Sequence, residues 1–561
     1  MTRLLPRRIG WRGATFGLVM AALGLGLGIG EPTGITGLDE YWHSMRTALQ
    51  SFETQAWFIP QLDGEPRIQK PPLFYWMMML SFEAFGVDFW SARLPALLFG
   101  VIFAATIGML YRVLFCSGGT LAFMISLSLL TVAVESRRAM LDLPLATCVA
   151  LTVLFALLAM RGRGTMAYLF PAVLALAAGF MIKGPLAVWF VIAALLAARL
   201  RPLDDMRRPS LWTGFFATTG FLLLAGAWPL WVYSETPDAW ARLVADAADR
   251  QFGEFGWRNL TAVPAALLAI SLPWTGASVA ALRGRFASVA DRRVLEWLVA
   301  WVLIAALPFF FFRTFERYLL PLAVPMALLA AYALRRGVVG LRWKLLSAVA
   351  LATAPVLLIA LLSFWLGTAP AAANWLPIAA LSVVLLGWVL ALVAAIGRHV
   401  KTVCVSLIVM TALTLGVLYP GLGVNRIPDE VVVGLRGAAI AHFDSPYPGT
   451  MSVVLGRNVP RIRAEDSAAL ATWAGKSGRL VLREEDLEKL LAACRSERIL
   501  PLIERDFSMF YARVSFARFA RPGTTTRDWL RAIRARAAEP LKPRFFIVRL
   551  VPDAPRPTFK E

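Results

Sequence analysis

About thirteen stretches of nearly uninterrupted apolar residues recur between positions 13 and 420, most near the roughly twenty residues that cross a hydrocarbon core of about 30 Å. They lie near 13–30, 90–115, 120–135, 143–160, 166–182, 184–199, 211–233, 260–282, 294–312, 317–334, 345–367, 374–396 and 402–420. A peptide group in hydrocarbon has no water to bond, so runs of this length must fold as helices. Composition agrees. Hydrophobic residues make up 58% of 561 positions, charged residues 17%, and mean hydropathy is +0.64, whereas a soluble chain is nearer half apolar with about a quarter charged. The expected fold class is an all-α polytopic membrane protein with about thirteen transmembrane helices.

Charge sets the expected topology. Alternate connections are basic: Arg3, Arg7, Arg8 and Arg12; Arg161 and Arg163; Arg199, Arg201, Arg207 and Arg208. The series continues with Arg283, Arg285, Arg292 and Arg293, then Arg335, Arg336, Arg342 and Lys344, then Arg398 and Lys401. The positive-inside rule makes these loops and the N-terminus cytoplasmic. An odd number of crossings then sends the tail, residues 421–561, to the periplasmic side of a bacterial inner membrane. The basic start Met1–Arg12 and the run after it have the outline of a signal peptide. The length of that run, the lack of a small-residue cleavage site and the ending Glu31-Pro32 favour a retained first helix. Net charge is +21, but the arginines sit in short loops rather than in one stripe with aromatics, which argues against a nucleic-acid partner. Cys116, Cys148, Cys404 and Cys494 are scattered, without metal-ligand spacing or a disulfide framework.

The tail differs from the rest. Charges of both signs mix with β-like runs at Met451–Leu455, Arg479–Arg483 and Arg544–Val551 and a helix-like stretch at Glu484–Cys494. This predicts a small soluble α/β domain of about 140 residues following a transmembrane domain over 1–420.

Chemistry concentrates in the outside loops. In the first, residues 31–89, Tyr41, Trp42, Met45, Ala48, Leu49 and Phe52 recur at helical spacing, which predicts an interfacial helix with its apolar face down. Asp39 and Glu40 open it, as an N-cap, as reactive carboxylates, or both. Pro71 and Pro72 can open a helix but not sit inside one, so Leu73–Phe85 reads as a second interfacial helix. Lys70 stands before that N-terminus, where a cation, free N–H groups and the helix dipole suit a phosphate; a lysine snorkelling from the interface would occupy the same place. On the same side lie Asp142 after Glu135, Arg137 and Arg138, the turn Lys183-Gly184-Pro185, and Arg313, Glu316, Arg317 and Tyr318. The spans themselves carry few charges. An ion-coupled transporter would need ionisable residues or broken helices near the midplane, and no convincing set is visible.

These loop motifs resemble the GT-C superfamily of polyprenyl-phosphate-sugar glycosyltransferases, in the branch of the aminoarabinose lipid A transferases and protein O-mannosyltransferases. The residues that carry the resemblance are Asp39-Glu40-Tyr41, Gln69-Lys70-Pro71-Pro72-Leu73-Phe74-Tyr75-Trp76, Arg93-Leu94-Pro95, Asp142, Lys183-Gly184-Pro185, Pro273-Trp274-Thr275 and Arg317-Tyr318-Leu319-Leu320-Pro321. The likeness extends across about residues 10–330 and is architectural beyond. It implies transfer of a sugar, with inversion, from a polyprenyl-phosphate donor to lipid A, another envelope glycolipid or a protein. Asp39, Glu40 and Asp142 become the candidate catalytic carboxylates: Asp39 to orient or deprotonate the acceptor, Asp142 to position Lys70. Lys70, Lys183, Arg138, Arg317 and Tyr318 become the candidate binding groups for the donor phosphate. Two departures bear on metal. Gln69 stands where relatives carry Glu, and residues 233–260, a candidate lid, lack the family's histidine; the only histidines are His43, His399 and His442. No metal or other cofactor is therefore expected. A protein glycosyltransferase of the same architecture and a lipid or glycan transporter remain the alternatives.

Overall fold

Deprived of water, the peptide groups of the apolar runs close their hydrogen bonds within each segment. A computed structural model describes residues 11–33, 39–161, 165–203, 210–249, 256–281, 288–312, 314–336, 340–367, 375–445, 447–511 and 519–552. Among these, nine helices are long and apolar enough to cross a membrane: Phe89–Phe115, Asp142–Met160, Met166–Lys183, Leu211–Glu235, Val289–Phe310, Glu316–Arg335, Leu341–Gly367, Trp375–Ile396 and Val400–Leu422. Each falls on an expected run. Shorter apolar helices, Thr15–Gly26 and Pro185–Leu200, lie on two more.

The runs 120–135 and 260–282 differ from expectation. Each is broken, into Gly119–Leu127 and Leu130–Glu135, and into Asn259–Ile270 and Thr275–Ala280. Pro273 has no N–H with which to continue a helix. The two breaks meet: the Leu130 amide donates to the Leu272 carbonyl at 3.0 Å, and the Trp274 indole N–H donates to Ser128 Oγ at 2.8 Å. Backbone freed at one break is thus bonded by the other, the condition for irregular chain within a bundle.

In the first loop a wide turn, Asp39–Met45, runs into the helix Arg46–Glu53, and a hairpin of β1 (Gln61–Leu62) and β2 (Glu65–Pro66) precedes the helix Leu73–Phe85. Pro72 stands at the start of that last helix, as expected. Tyr41, Met45 and Leu49 pack on Phe74, Met78 and Phe82 in one buried cluster. The polar face of the preceding helix is buried too, at Arg46, Thr47, Gln50 and Ser51. The sequence predicts an amphipathic surface helix here; instead the C-terminal region covers its other side.

That region forms a five-stranded sheet in the order β4-β3-β5-β7-β6, from β3 (Ile440–Phe443), β4 (Arg461–Ile462), β5 (Arg479–Arg483), β6 (Ile499–Ser508) and β7 (Arg544–Pro552). β3 runs parallel to β4 and β5, while β7 is antiparallel to β5 and β6. Alternation sorts the two faces. Leu480 and Leu482 pack on the helices Ser467–Gly475 and Leu487–Ser496, while Val481 faces Tyr447, Met451 and, at the margin, Trp42 of the first loop. The strand expected at Met451–Leu455 is instead a helical turn, Met451–Val454. Val453 of that turn is buried with Leu49 and Phe74, and this packing overrides the β-preference of its valines.

Candidate active site

The first loop, the start of Asp142–Met160, the end of the helix Thr165–Lys183 and the segment Glu316–Leu322 meet around one charged cluster. Gly184 makes the closing turn possible. Its φ of +67° suits a residue without Cβ, and Pro185 starts the next helix directly. Lys183 is thereby held, buried, in a close ion pair with Asp142. Its ammonium also lies 4.7 Å from the Tyr318 ring centroid, within cation–π range. The resemblance implies that Asp142 positions Lys70; its carboxylate pairs with Lys183 instead, because the Gly184 turn brings that lysine to the start of its helix.

The neighbouring Arg317 forms a close ion pair with Asp39 and stacks near Phe315 and Tyr318, at 5.3 and 5.8 Å. Both Asp39 and Asp142 act electrostatically on its guanidinium, so the two aspartates, distant in sequence, share one site. Burial pushes the Asp39 carboxyl up, but the Arg317 charge, with His43 and Arg138, more than reverses this and holds it below its ordinary value. Asp39 is a carboxylate at neutral pH. Arg138 is paired with Glu135.

Glu40, expected beside Asp39 in the reacting set, is not there. It is fully buried, 2.8 Å from Arg93, and accepts the Ala139 amide at 3.0 Å. Arg93 also donates to the Ile29 and Glu31 carbonyls and to the Tyr41 hydroxyl. The pair therefore ties the Asp39 turn to the end of the first helix and to the segment that leads into Asp142. This role of Arg93 is not apparent from its motif. The available signal is a lone arginine in an apolar run, which must find a partner.

Lys70 is half-buried at the bend before Pro71. Three residues later, Leu73 enters an apolar cleft of about 350 Å³ that is also lined by Trp76, Ala177, Met181, Trp228 and Trp231. Phe58 closes its rim, accepting the Trp228 N–H at 2.8 Å on its carbonyl. Within the expected lid, the helix Ala239–Asp249 rests on the β1–β2 hairpin through Arg242 and Glu65 at 3.0 Å. Residues 250–255 and Arg313 lie outside the described residues. So do Arg3, Arg7, Arg8, Arg163, Arg207, Arg208, Arg283 and Arg285 of the basic connections.

The residues present do not fit the family's Glu and His metal pair, since Gln69 and the histidine-free stretch 233–260 supply neither ligand. Among the described residues no group of three or more His, Cys, Asp or Glu could hold a metal ion.

In sequence and in fold the chain resembles the polyprenyl-phosphate-sugar glycosyltransferases. Residues 69–233 match the dolichyl-phosphate-mannose-protein mannosyltransferase family. An undecaprenyl phosphate-alpha-4-amino-4-deoxy-L-arabinose arabinosyl transferase from Serratia proteamaculans is 27% identical over 300 residues, which cover 49% of this chain and 51% of that protein. The chain thus spans about half the length of this relative. The crystal structure of ArnT from Cupriavidus metallidurans in the apo state superposes with a TM-score of 0.65 at 17% identity, over 86% of this chain and 95% of that one. The same protein bound to undecaprenyl phosphate gives 0.64 at 16% identity, over 88% and 96%. The polytopic fold is therefore that of ArnT.

Proposed function

We propose that the protein is an inverting glycosyltransferase that moves a sugar from a polyprenyl phosphate to lipid A or another phosphorylated envelope glycolipid. On this reading it works at the periplasmic face of a bacterial inner membrane. The tail joins the first loop on that face, residues 1–420 form the transmembrane domain, and 421–561 form a separate α/β domain. One observation carries the reading. Two aspartates and two cations from four separate segments converge in one cluster at the first loop.

The chemistry follows from that arrangement. An acceptor oxygen bonds to the anomeric carbon as the bond from that carbon to the lipid phosphate breaks. The electron pair leaves with the phosphate, and Lys70, Lys183 and Arg317 meet its charge. Asp142 holds Lys183 at the leaving group, and Tyr318 orients the ammonium. Asp39, ionised and weakened as a base by Arg317, orients an acceptor better than it deprotonates one, which favours an acceptor that is already anionic. Arg138 and Glu135 frame the site, and Glu40 acts with Arg93 as a positioning residue. No cofactor takes part.

The test is transfer from a synthetic polyprenyl-phosphate sugar by the purified protein. Asp39→Asn and Lys70→Ala should each abolish it while melting behaviour holds, and near-normal transfer in either would remove the mechanism. Product formation also separates this reading from a transporter, which would tolerate Asp39→Asn and change no glycan. Chelators should leave the rate unchanged; inhibition reversed by added metal would refute the cofactor-free reading. The match of residues 69–233 to a protein mannosyltransferase family supports a second reading, with a protein hydroxyl as acceptor. That reaction delivers a proton to Asp39, and glycosylated protein in place of modified lipid would establish it.

A further inference from the structure

Where the first loop meets the C-terminal sheet, buried polar atoms without hydrogen-bond partners collect. Arg46 is 0% exposed. One of its amino groups serves Asp63 and the Val459 carbonyl, at 3.1 Å for the latter, while Nε and Nη1 have no acceptor. Arg67 Nε on the loop also has no acceptor, Gln69 Oε1 and, across the seam, Asn458 Oδ1 have no donor, and His43 Nδ1 is unpaired. Such groups in proteins are otherwise almost always bonded, and leaving each unpaired carries a free-energy cost. Concentrated in one seam, they mark a surface built to receive something polar.

Charge says what. His43 feels Arg67 and Arg46, and His442 feels Arg46 and Arg461, so these groups lie within electrostatic reach of one another. The carboxylates within that reach are Asp39, beside His43, Asp63, on Arg46, and Glu53, which accepts the Asn458 amide at 2.7 Å. Arg46, Arg67, Arg457 and Arg461 outnumber them. The guanidinium of Arg461 lies over the Trp42 ring at 5.6 Å, and Trp42 belongs to the turn that carries Asp39. His43 Nε2 is 3.9 Å from the Asp39 carboxylate. The seam is therefore reached from Asp39 through His43, whereas Asp142 and Lys183 are reached through Arg317.

We propose that this seam is a second anion-binding site, with Arg46 as its floor and Arg67, His43, Gln69 and Asn458 at its mouth, and that it holds the phosphate of the acceptor glycolipid. The assignment rests on the glycosyltransferase reading and sharpens it, because it gives the C-terminal sheet a part in recognition. The anion's oxygens take up the unpaired N–H groups of Arg46 and Arg67. Arginine suits that role, since its planar fork matches phosphate.

The test uses the full chain in lipid nanodiscs. Transfer is measured to a phosphorylated glycolipid and to its dephosphorylated form, with inorganic phosphate as competitor. Arg67→Gln should raise the acceptor KM by about tenfold or more while the donor KM holds, with Arg67→Lys intermediate. Inorganic phosphate should compete with the acceptor and not with the donor, and should raise the melting temperature of the unaltered protein but not of Arg67→Gln. Arg46→Gln tests the floor; if that variant fails to fold, Asn458→Ala joins Arg67→Gln at the mouth. An unchanged acceptor KM in the folded variants, or competition with the donor, would overturn the site while glycosyl transfer stood. Phosphate binding that Arg67→Gln abolishes, in a protein without transferase activity, would uphold an anion site and strike the enzymatic reading instead. Phosphate that binds without displacing the glycolipid would overturn the acceptor assignment in favour of the free ion.

Discussion

Two polar regions flank Asp39, and they are built in opposite ways. Around Arg317 each charged side chain has an opposite partner, Asp39 with Arg317, Asp142 with Lys183 and Glu135 with Arg138, with Glu135 Oε2 and Arg138 Nε left over. Under the C-terminal sheet, Arg46, Arg67 and Asn458 carry buried atoms with none. A cluster that is neutralised at rest can be preorganised without a ligand, because each charge is already held in position. A seam with unpaired N–H groups on Arg46 and Arg67 is completed only by what enters it. The contrast assigns the paired cluster to the chemical step and the seam to recognition.

The largest effects should come from breaking the paired cluster. Lys183→Ala removes a cation from the leaving phosphate and should lower kcat by about 10²–10³-fold. Asp142→Asn should cost a similar factor, since it leaves the ammonium without the partner that holds it. The double variant should be little worse than either single one, because the two act as a unit. Steady-state transfer kinetics on the three proteins decide the matter; losses that multiply would show the two residues acting independently and would sever Asp142 from Lys183.

The next effect tests the frame rather than the chemistry. Arg93→Met leaves Glu40 buried and unpaired, and breaking such a pair from one side costs about 3–5 kcal/mol. Denaturation of Arg93→Met and of Arg93→Met/Glu40→Gln should show the double variant recovering part of that loss. If both melt with the unaltered protein, the clamp between the Asp39 turn and the Asp142 segment carries no weight.

How much of this is legible in the sequence depends on range. The apolar runs announce their helices because twenty residues without charge leave the backbone no other solution. Pro71-Pro72 announces the start of Leu73–Phe85 for an equally local reason. The breaks near Ser128 and Pro273 stay hidden: hydropathy does not fall there, and each break is stable only because the other bonds its backbone. Asp142, Lys183, Arg317 and Asp39 are legible as chemistry types on one membrane face, but not as the particular pairs they form. Glu40 reads as reactive because its partner Arg93 lies 53 residues away. The seam is invisible, since the helix Arg46–Glu53 has a plain amphipathic pattern and its cover comes from 413 residues further on.

The smallest effect separates the two regions by acid. His442 is held at about 3, against an ordinary 6.5, by burial first and then by Arg46 and Arg461, with the Tyr447 backbone opposing. His43 is likewise held at about 3, by burial and by Arg67 and Arg46 against the pull of Asp39. Between pH 6.5 and about 3 the unfolded chain binds these protons and the folded one does not, so stability falls as pH falls through that window and is fully present above it. Asp39 moves in the same direction but only below its ordinary 3.8, because its carboxyl is already depressed. Between pH 7 and pH 5 the melting temperature therefore carries the contribution of these histidines and none from Asp39, while Glu135, raised by burial, adds a dependence of opposite sign that the variants below retain. His442→Gln should flatten that slope, and Asp39→Asn should leave it as it is. A slope that His442→Gln does not change, or that Asp39→Asn removes, would place the acid-sensitive charge in the wrong region and dissolve the distinction between them.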